Sequence, residues 1–143
     1  MEETPLMNLD LRSPLIFLKI HAQMGSEFPP DLAKNEEILL CFDLDPLQSL
    51  NIEPDPELLL GSFVFAGRKT DGDAAPQGEA VSLPAGKYLF VQKRGVTPGE
   101  NWLEMAIEQQ KDGLWELYRP ENRLFVRYLH EDGQFVIQLF RPL

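Results

Sequence analysis

Cysteine and histidine are both scarce in this chain. Cys41 is the single cysteine among 143 residues, which excludes an internal disulfide. It lies in the apolar run Leu39-Leu40-Cys41-Phe42, which predicts a buried and unreactive thiol. The two histidines, His21 and His130, have no supporting motif around them, so no nucleophile held by a histidine base can be nominated. The sequence therefore predicts no catalytic residue, no metal site and no cofactor.

Basic side chains and long apolar runs are also few. Thirteen Lys and Arg against twenty-three Asp and Glu give a net charge of −10, and such a surface repels nucleic-acid phosphates. The longest apolar runs, such as residues 38–42 and 58–60, are too short to cross a bilayer. The beginning, Met1-Glu2-Glu3-Thr4, lacks the basic segment of a signal peptide. These features predict a cytoplasmic protein that contacts neither membrane nor nucleic acid directly.

The composition that is present is typical of a globular protein. Apolar residues make up 43% of the chain and charged residues 25%, enough apolar material for a hydrophobic core. A length of 143 residues fits one domain, so we expect a single domain over residues 1–143.

Strand patterns dominate the first half, about residues 10–70. Leu15–Ile20 is rich in strand-forming residues, and residues 38–43 are continuous enough to be a strand buried on both faces. The proline-bearing residues 45–57 are expected to be a surface connection, and residues 58–68 to return to a strand. A short helix of one or two turns is possible over residues 32–37. Residues 38–43 either continue this helix or form the strand, and we favour the strand.

The second half, about residues 79–143, follows the polar run 70–78 and has clearer signals. Residues 80–92 predict a strand interrupted by the turn Pro84-Ala85-Gly86. Thr97-Pro98-Gly99-Glu100 is a capping sequence, so a helix is expected to begin there, with Gly113 either ending it or lying inside a longer helix. Residues 124–129 and 135–140 flank an Asp-Gly pair and predict a hairpin.

Together these elements predict an α+β fold with a mixed or antiparallel sheet and one main helix. Both halves place a strand before a glycine and then two further strands, which suggests two βαββ-like halves, the first with a reduced helix.

Three segments in this order resemble the gyrase-inhibitor-like effector-binding family, whose fold is shared with the haem-associated SOUL proteins. Leu83-Pro84-Ala85-Gly86-Lys87-Tyr88 is similar to the family's Leu-Pro-Ala-Gly-Lys-Tyr turn and is the most specific of the three. Asp43-Leu44-Asp45-Pro46 through Leu60-Gly61-Ser62-Phe63-Val64 is similar to its Asp-Pro loop and the following strand. Ile137-Gln138-Leu139-Phe140-Arg141-Pro142-Leu143 is similar to its terminal strand. The resemblance covers most of residues 38–143.

The resemblance implies a ligand held between the two halves by aromatic side chains, with a carboxylate for cationic ligands. In the family that carboxylate lies in a Phe-Glu-any-Tyr segment, whose best-spaced counterpart is Phe125-Val126-Arg127-Tyr128, where valine replaces the glutamate. The alternative, Trp115-Glu116-Leu117-Tyr118, keeps the acid at a poorer spacing. Haem binding, which the SOUL relationship suggests, would have only His21 and His130 as axial ligands.

The candidate ligand-binding residues are aromatic side chains, which attract planar or cationic ligands, and one carboxylate. Taken singly, each aromatic is explained better by ordinary core packing than by ligand contact, and the acid is explained better by a solvated helix position. The set comprises Tyr88, Trp102, Trp115, Glu116, Tyr118 and Tyr128.

The function expected from these observations is a stand-alone domain that binds a hydrophobic or aromatic small molecule as an effector, without a DNA-binding segment of its own. One alternative is an acidic inhibitor that binds a basic protein partner. A second is a small-molecule hydrolase in which a cleft carboxylate such as Glu116 acts as a general base. We expect the protein not to be an enzyme, because no nucleophile and base occur together.

Overall fold

The computed structural model describes residues 2–3, 6–20, 37–45, 55–69, 79–96, 102–116, 118, 120–131 and 133–143. Most of the helix predicted over residues 32–37, the polar run 70–78, the capping sequence 97–100 and His21 lie outside these segments. The described part contains nine strands and two helices. The strands are β1 (Glu2–Glu3), β2 (Met7–Leu11), β3 (Leu15–Ile20), β4 (Glu37–Asp43), β5 (Phe63–Lys69), β6 (Ala80–Leu83), β7 (Gly86–Val96), β8 (Arg123–Glu131) and β9 (Gln134–Pro142); the helices are α1 (Pro56–Gly61) and α2 (Trp102–Trp115).

The fold is mostly β, so the predicted α+β class is wrong. About 60% of the described residues are in strands, and they form one curled sheet in which every described pairing is antiparallel. The sequence patterns missed β1 and β2, both before the first predicted strand. Among the described residues, helix is limited to the six residues of α1 and the fourteen of α2.

The strand order contains the same arrangement twice. The sheet runs β1-β7-β9-β8-β4-β5-β3-β6, with β2 also paired to β7. Of β7, β8 and β9, the last strand along the chain, β9, lies between the other two in the sheet. In the same way, β5 lies between β3 and β4. The two groups meet where β4 pairs with β8. The order strand, helix, strand, strand predicted for the second half is confirmed by β7, α2, β8 and β9.

Local signals explain most of the element boundaries. The predicted strands at β3 and β4 and the hairpin of β8 and β9 are confirmed, and Gly133 in that hairpin has φ 76°, a conformation that favours glycine. The strand predicted over residues 58–68 is wrong in its first part, which is α1. There the side chain of Asp55 accepts a hydrogen bond from the Glu57 amide at 3.0 Å, and Pro56 opens the helix. Gly113 lies inside α2.

Apolar side chains form one cluster on each side of the sheet, because alternate residues of a strand point to opposite faces. On the helix side, Ile38, Leu40 and Phe42 pack with Trp102 and other residues of α2. On the opposite side, Leu39 and Cys41 pack with aromatic residues from other strands. This second cluster joins residues of β2 and β7 with residues of β3 and β6, which lie at opposite ends of the strand order. The sheet curls around it.

Candidate functional site

The structure places the six predicted site residues in three different places. Trp102 and Tyr128 lie in the helix-side cluster, whereas Tyr88 lies in the cluster on the opposite side of the sheet. Trp115 and Glu116 are exposed at the end of α2, and Tyr118 is half-buried just beyond it. These residues therefore do not form one ligand-binding wall.

The helix side is packed at the position where the resemblance implies a carboxylate. Val126, the counterpart of the family's glutamate, is fully buried beneath α2. The ring of Trp102 lies 4.7 Å from that of Phe42, and both side chains are fully buried. Val126 and the apolar side chains of this cluster offer a cationic ligand no counter-charge.

Tyr88 has a structural role in the Leu-Pro-Ala-Gly-Lys-Tyr segment. Its hydroxyl donates a hydrogen bond to the carbonyl of Pro84, within the turn between β6 and β7. Its ring packs edge-on against Phe125 and Phe140, at centroid distances of 6.3 and 5.6 Å. Leu83, at the other end of the turn, belongs to the same cluster, and burial raises the pKa of the Tyr88 phenol. The Leu-Pro-Ala-Gly-Lys-Tyr segment therefore fixes the turn between β6 and β7 against the hydrophobic core.

The end of α2 does not provide the buried carboxylate that a general base would need. Glu116 is exposed, and its backbone N–H donates to the carbonyl of Asp112 at 3.0 Å in the last turn of the helix. Trp115 beside it is 77% exposed. A solvated carboxylate at this position gives the hydrolase alternative no support.

A row of hydrogen-bonded polar side chains crosses four strands on the side of the sheet opposite α2. Arg127 of β8 donates through Nε to Oε1 of Glu37 on β4 at 2.7 Å, and its Nη2 donates to the same oxygen. Its Nη1 donates to Oε1 of Gln138 on β9 at 2.9 Å. Gln138 in turn donates through Nε2 to Oε1 of Gln92 on β7 at 2.6 Å. We refer to Glu37, Arg127, Gln138 and Gln92 as the polar row.

The polar row has apolar neighbours on one side and keeps part of its surface exposed. On one side of it, two residues away along the strands, are Phe90, Phe125 and Phe140 of the aromatic cluster. The side chains of Arg127 and Glu37 remain 16% and 21% exposed. The attraction between two opposite charges is stronger in a partly buried site than in water, because the dielectric constant there is lower. Part of the Arg127 and Glu37 side chains is still accessible to solvent.

A second polar cluster lies under α2 and has a different character. Arg141 of β9 is only 1% exposed, and burial lowers its pKa to about 10. It donates to Oε1 of Gln110 at 3.2 Å and to the carbonyl of Glu121 at 2.7 Å. The guanidinium thus ties β9 to α2 and to the segment before β8, and the groups that meet it in these bonds are neutral oxygens of the protein.

No family model matches the sequence, and no curated protein matches it. Within the described segments, no helix is long and apolar enough to span a membrane. The described residues also contain no group of three His, Cys, Asp or Glu side chains that could hold a metal ion.

Proposed function

We propose that the chain is a small-molecule-binding domain and that its recognition surface is the polar row. The observation that carries this proposal is the hydrogen-bonded row of four polar side chains on four adjacent strands, beside an aromatic cluster, in which Arg127 and Glu37 remain partly exposed. Binding sites for small molecules combine an apolar lining with a few placed polar groups in the same way.

The chemistry of the polar row favours a neutral ligand. The carboxylate of Glu37 is matched by the guanidinium of Arg127, and the two glutamines are uncharged. A strongly charged ligand would meet no net opposite charge in this row, whereas a planar group with adjacent donor and acceptor atoms could bond to an amide and the guanidinium together. The ligand class that fits is a neutral heterocyclic amide whose flat apolar part lies against the neighbouring phenylalanines.

The binding role agrees with the function that the resemblance to effector-binding proteins implies, but the proposed surface differs from that family's cleft. In this chain the corresponding helix-side position is the buried Val126. The domain would act as a cytoplasmic sensor that passes its ligand state to another protein.

A titration of the whole chain with neutral heterocyclic amides, followed by two-dimensional amide NMR, tests the proposal. We expect binders to shift the signals of Arg127, Gln138 and their neighbours on β8 and β9. Binding should be lost in the double variant Arg127→Met, Glu37→Met, which removes both partners so that neither charge is left buried alone.

The matched control removes an exposed ion pair instead. Lys19 and Glu79 lie 3.3 Å apart with side chains 40% and 69% exposed, so Lys19→Met, Glu79→Met makes the same chemical change outside the polar row. This control should fold and bind like the wild type. Failure of every compound to shift the polar row at millimolar concentration, or equal binding by both double variants, would overturn the proposal.

A further inference from the structure

The C-terminal end of α2 presents a tryptophan to solvent. Trp115 is 77% exposed, the largest exposed fraction among the large apolar side chains that the structure describes. Trp102, at the other end of the same helix, is fully buried. An aromatic ring of this size exposes a large apolar surface to water and is enriched at protein interfaces.

Among the described residues close to Trp115, the exposed carboxylates of Asp112 and Glu116 outnumber the exposed ammonium group of Lys111, which lies four residues before it. Asp112 and Glu116 are exposed on either side of it, and the last turn of α2 contains no basic residue. The carbonyl groups at a helix C-terminus already carry partial negative charge, so carboxylates placed there are unfavourable unless a cation approaches. Asp112, Trp115 and Glu116 together form what we call the α2 end.

We propose that the α2 end docks an arginine-bearing basic segment of a partner protein. A guanidinium stacks on the face of an indole and pairs with carboxylates, so it satisfies all three side chains and the helix terminus at once. The net charge of −10 further steers a basic segment toward this protein. The complementarity of charge and the exposed ring thus specify the same occupant.

This docking surface is independent of the polar row. The helix α2 packs on the helix side of the sheet, whereas the polar row lies on the opposite side. A small molecule and a protein segment could therefore be bound at the same time, one on each side of the sheet.

The test uses a short synthetic peptide that alternates arginine with serine, titrated into the whole protein. Because Trp102 is buried, iodide quenching of the fluorescence reports mainly on Trp115, and the bound peptide should protect it. Binding by the variants is measured by titration calorimetry, because Trp115→Ala lacks the reporting indole. Trp115→Ala should weaken binding about two- to fivefold, the effect of an exposed cation–π contact. Asp112→Asn with Glu116→Gln should weaken it by a similar factor.

The control variant carries Asp10→Asn with Glu57→Gln, the same charge change at exposed positions on β2 and α1. It should bind the peptide nearly as well as the wild type. If the control weakens binding as much as the change at the α2 end, net charge alone attracts the peptide and the proposal is overturned. A peptide with lysine in place of arginine that binds equally well, or an indole that stays fully quenchable, overturns it too.

Discussion

Cys41 combines a thiol with complete burial in the aromatic cluster. Burial raises its pKa from 9.0 to about 12, so the folded protein holds the proton more tightly than the unfolded chain. Such a group contributes stability that is fully present below pH 9 and decreases as the pH rises toward 12. We predict that the free energy of unfolding decreases by about 1 kcal/mol between pH 9 and pH 10 because of this one thiol.

The variant Cys41→Ala isolates this effect in urea unfolding measured at both pH values. The ordinary pKa of Tyr88 is 10.0 and the pKa of Arg141 is about 10, so their own contributions arise mainly above this window. The variant should show a flatter pH dependence than the wild type. An equal decrease in both proteins would show that the thiol is not responsible.

Gly113 lets α2 approach the sheet closely. A Cβ atom at this position would lie 2.7 Å from Cδ2 of Leu89, which is fully buried on β7. Gly113→Ala gains helix propensity but overpacks the core, so we predict a net destabilisation of about 1–2 kcal/mol in urea unfolding. Gly61→Ala is the control, because nothing lies within 4 Å of its Cβ position in α1, and it should be neutral or slightly stabilising. Destabilisation in both variants would contradict the packing argument.

At the scale of elements, β3 and β6 approach β5 closely at Gly67. A Cβ atom on Gly67 of β5 would lie 2.7 Å from Cβ of Phe17 and 2.7 Å from Cγ2 of Val81. The Cβ of Phe17 cannot rotate away, so Gly67→Ala should separate the strands. We predict a destabilisation of about 3 kcal/mol, measured by urea unfolding.

The companion variant Gly67→Ala, Val81→Ala removes one of the two clashing atoms. It should destabilise the protein by less than the two single variants do together, because the two changes share one contact. Strict additivity would mean that the strands do not meet at Gly67 as described.

The elements of the second half were predictable because their signals are local. The Asp-Gly pair, the turn at Pro84 and the alternating apolar residues all lie within or next to β6 to β9. β2 was missed although Met7, Leu9 and Leu11 alternate with polar residues. In α1, the apolar run 58–60 suggested a strand, whereas Asp55 and Pro56 were the stronger signal.

The polar row could be predicted only in part. Arg127 and Gln138 face each other across the hairpin, so the position of its turn already implies their contact. Glu37 and Gln92 reach them through the pairings of β4 with β8 and β7 with β9, which join segments far apart in the chain. The residues of the predicted aromatic site lie apart for the same reason. The side of the sheet on which a side chain lies depends on the strand to which it belongs.

At the scale of the whole molecule, each core cluster contains residues from before and after the run 70–78. On the helix side, Leu40 and Phe42 pack in the same cluster as Val126 and Leu139. On the opposite side, the cluster joins Phe17 to Phe140 and other residues of the second half. The pairing of β4 with β8 links the two halves through seven residue pairs. Neither half can therefore bury its own apolar faces.

This arrangement predicts that residues 1–69 and 79–143 fold only together. Alone, residues 79–143 would expose the edge of β8 that pairs with β4, together with their own apolar residues in both clusters. A sheet of this kind loses most of its stability when its apolar face is exposed to water. We expect each fragment alone to give a poorly dispersed amide NMR spectrum. An equimolar mixture should recover dispersed signals and a cooperative thermal transition. A dispersed spectrum and a cooperative melt from residues 79–143 alone would show instead that the second half is an independent unit, and that its repeated strand pattern is sufficient for folding.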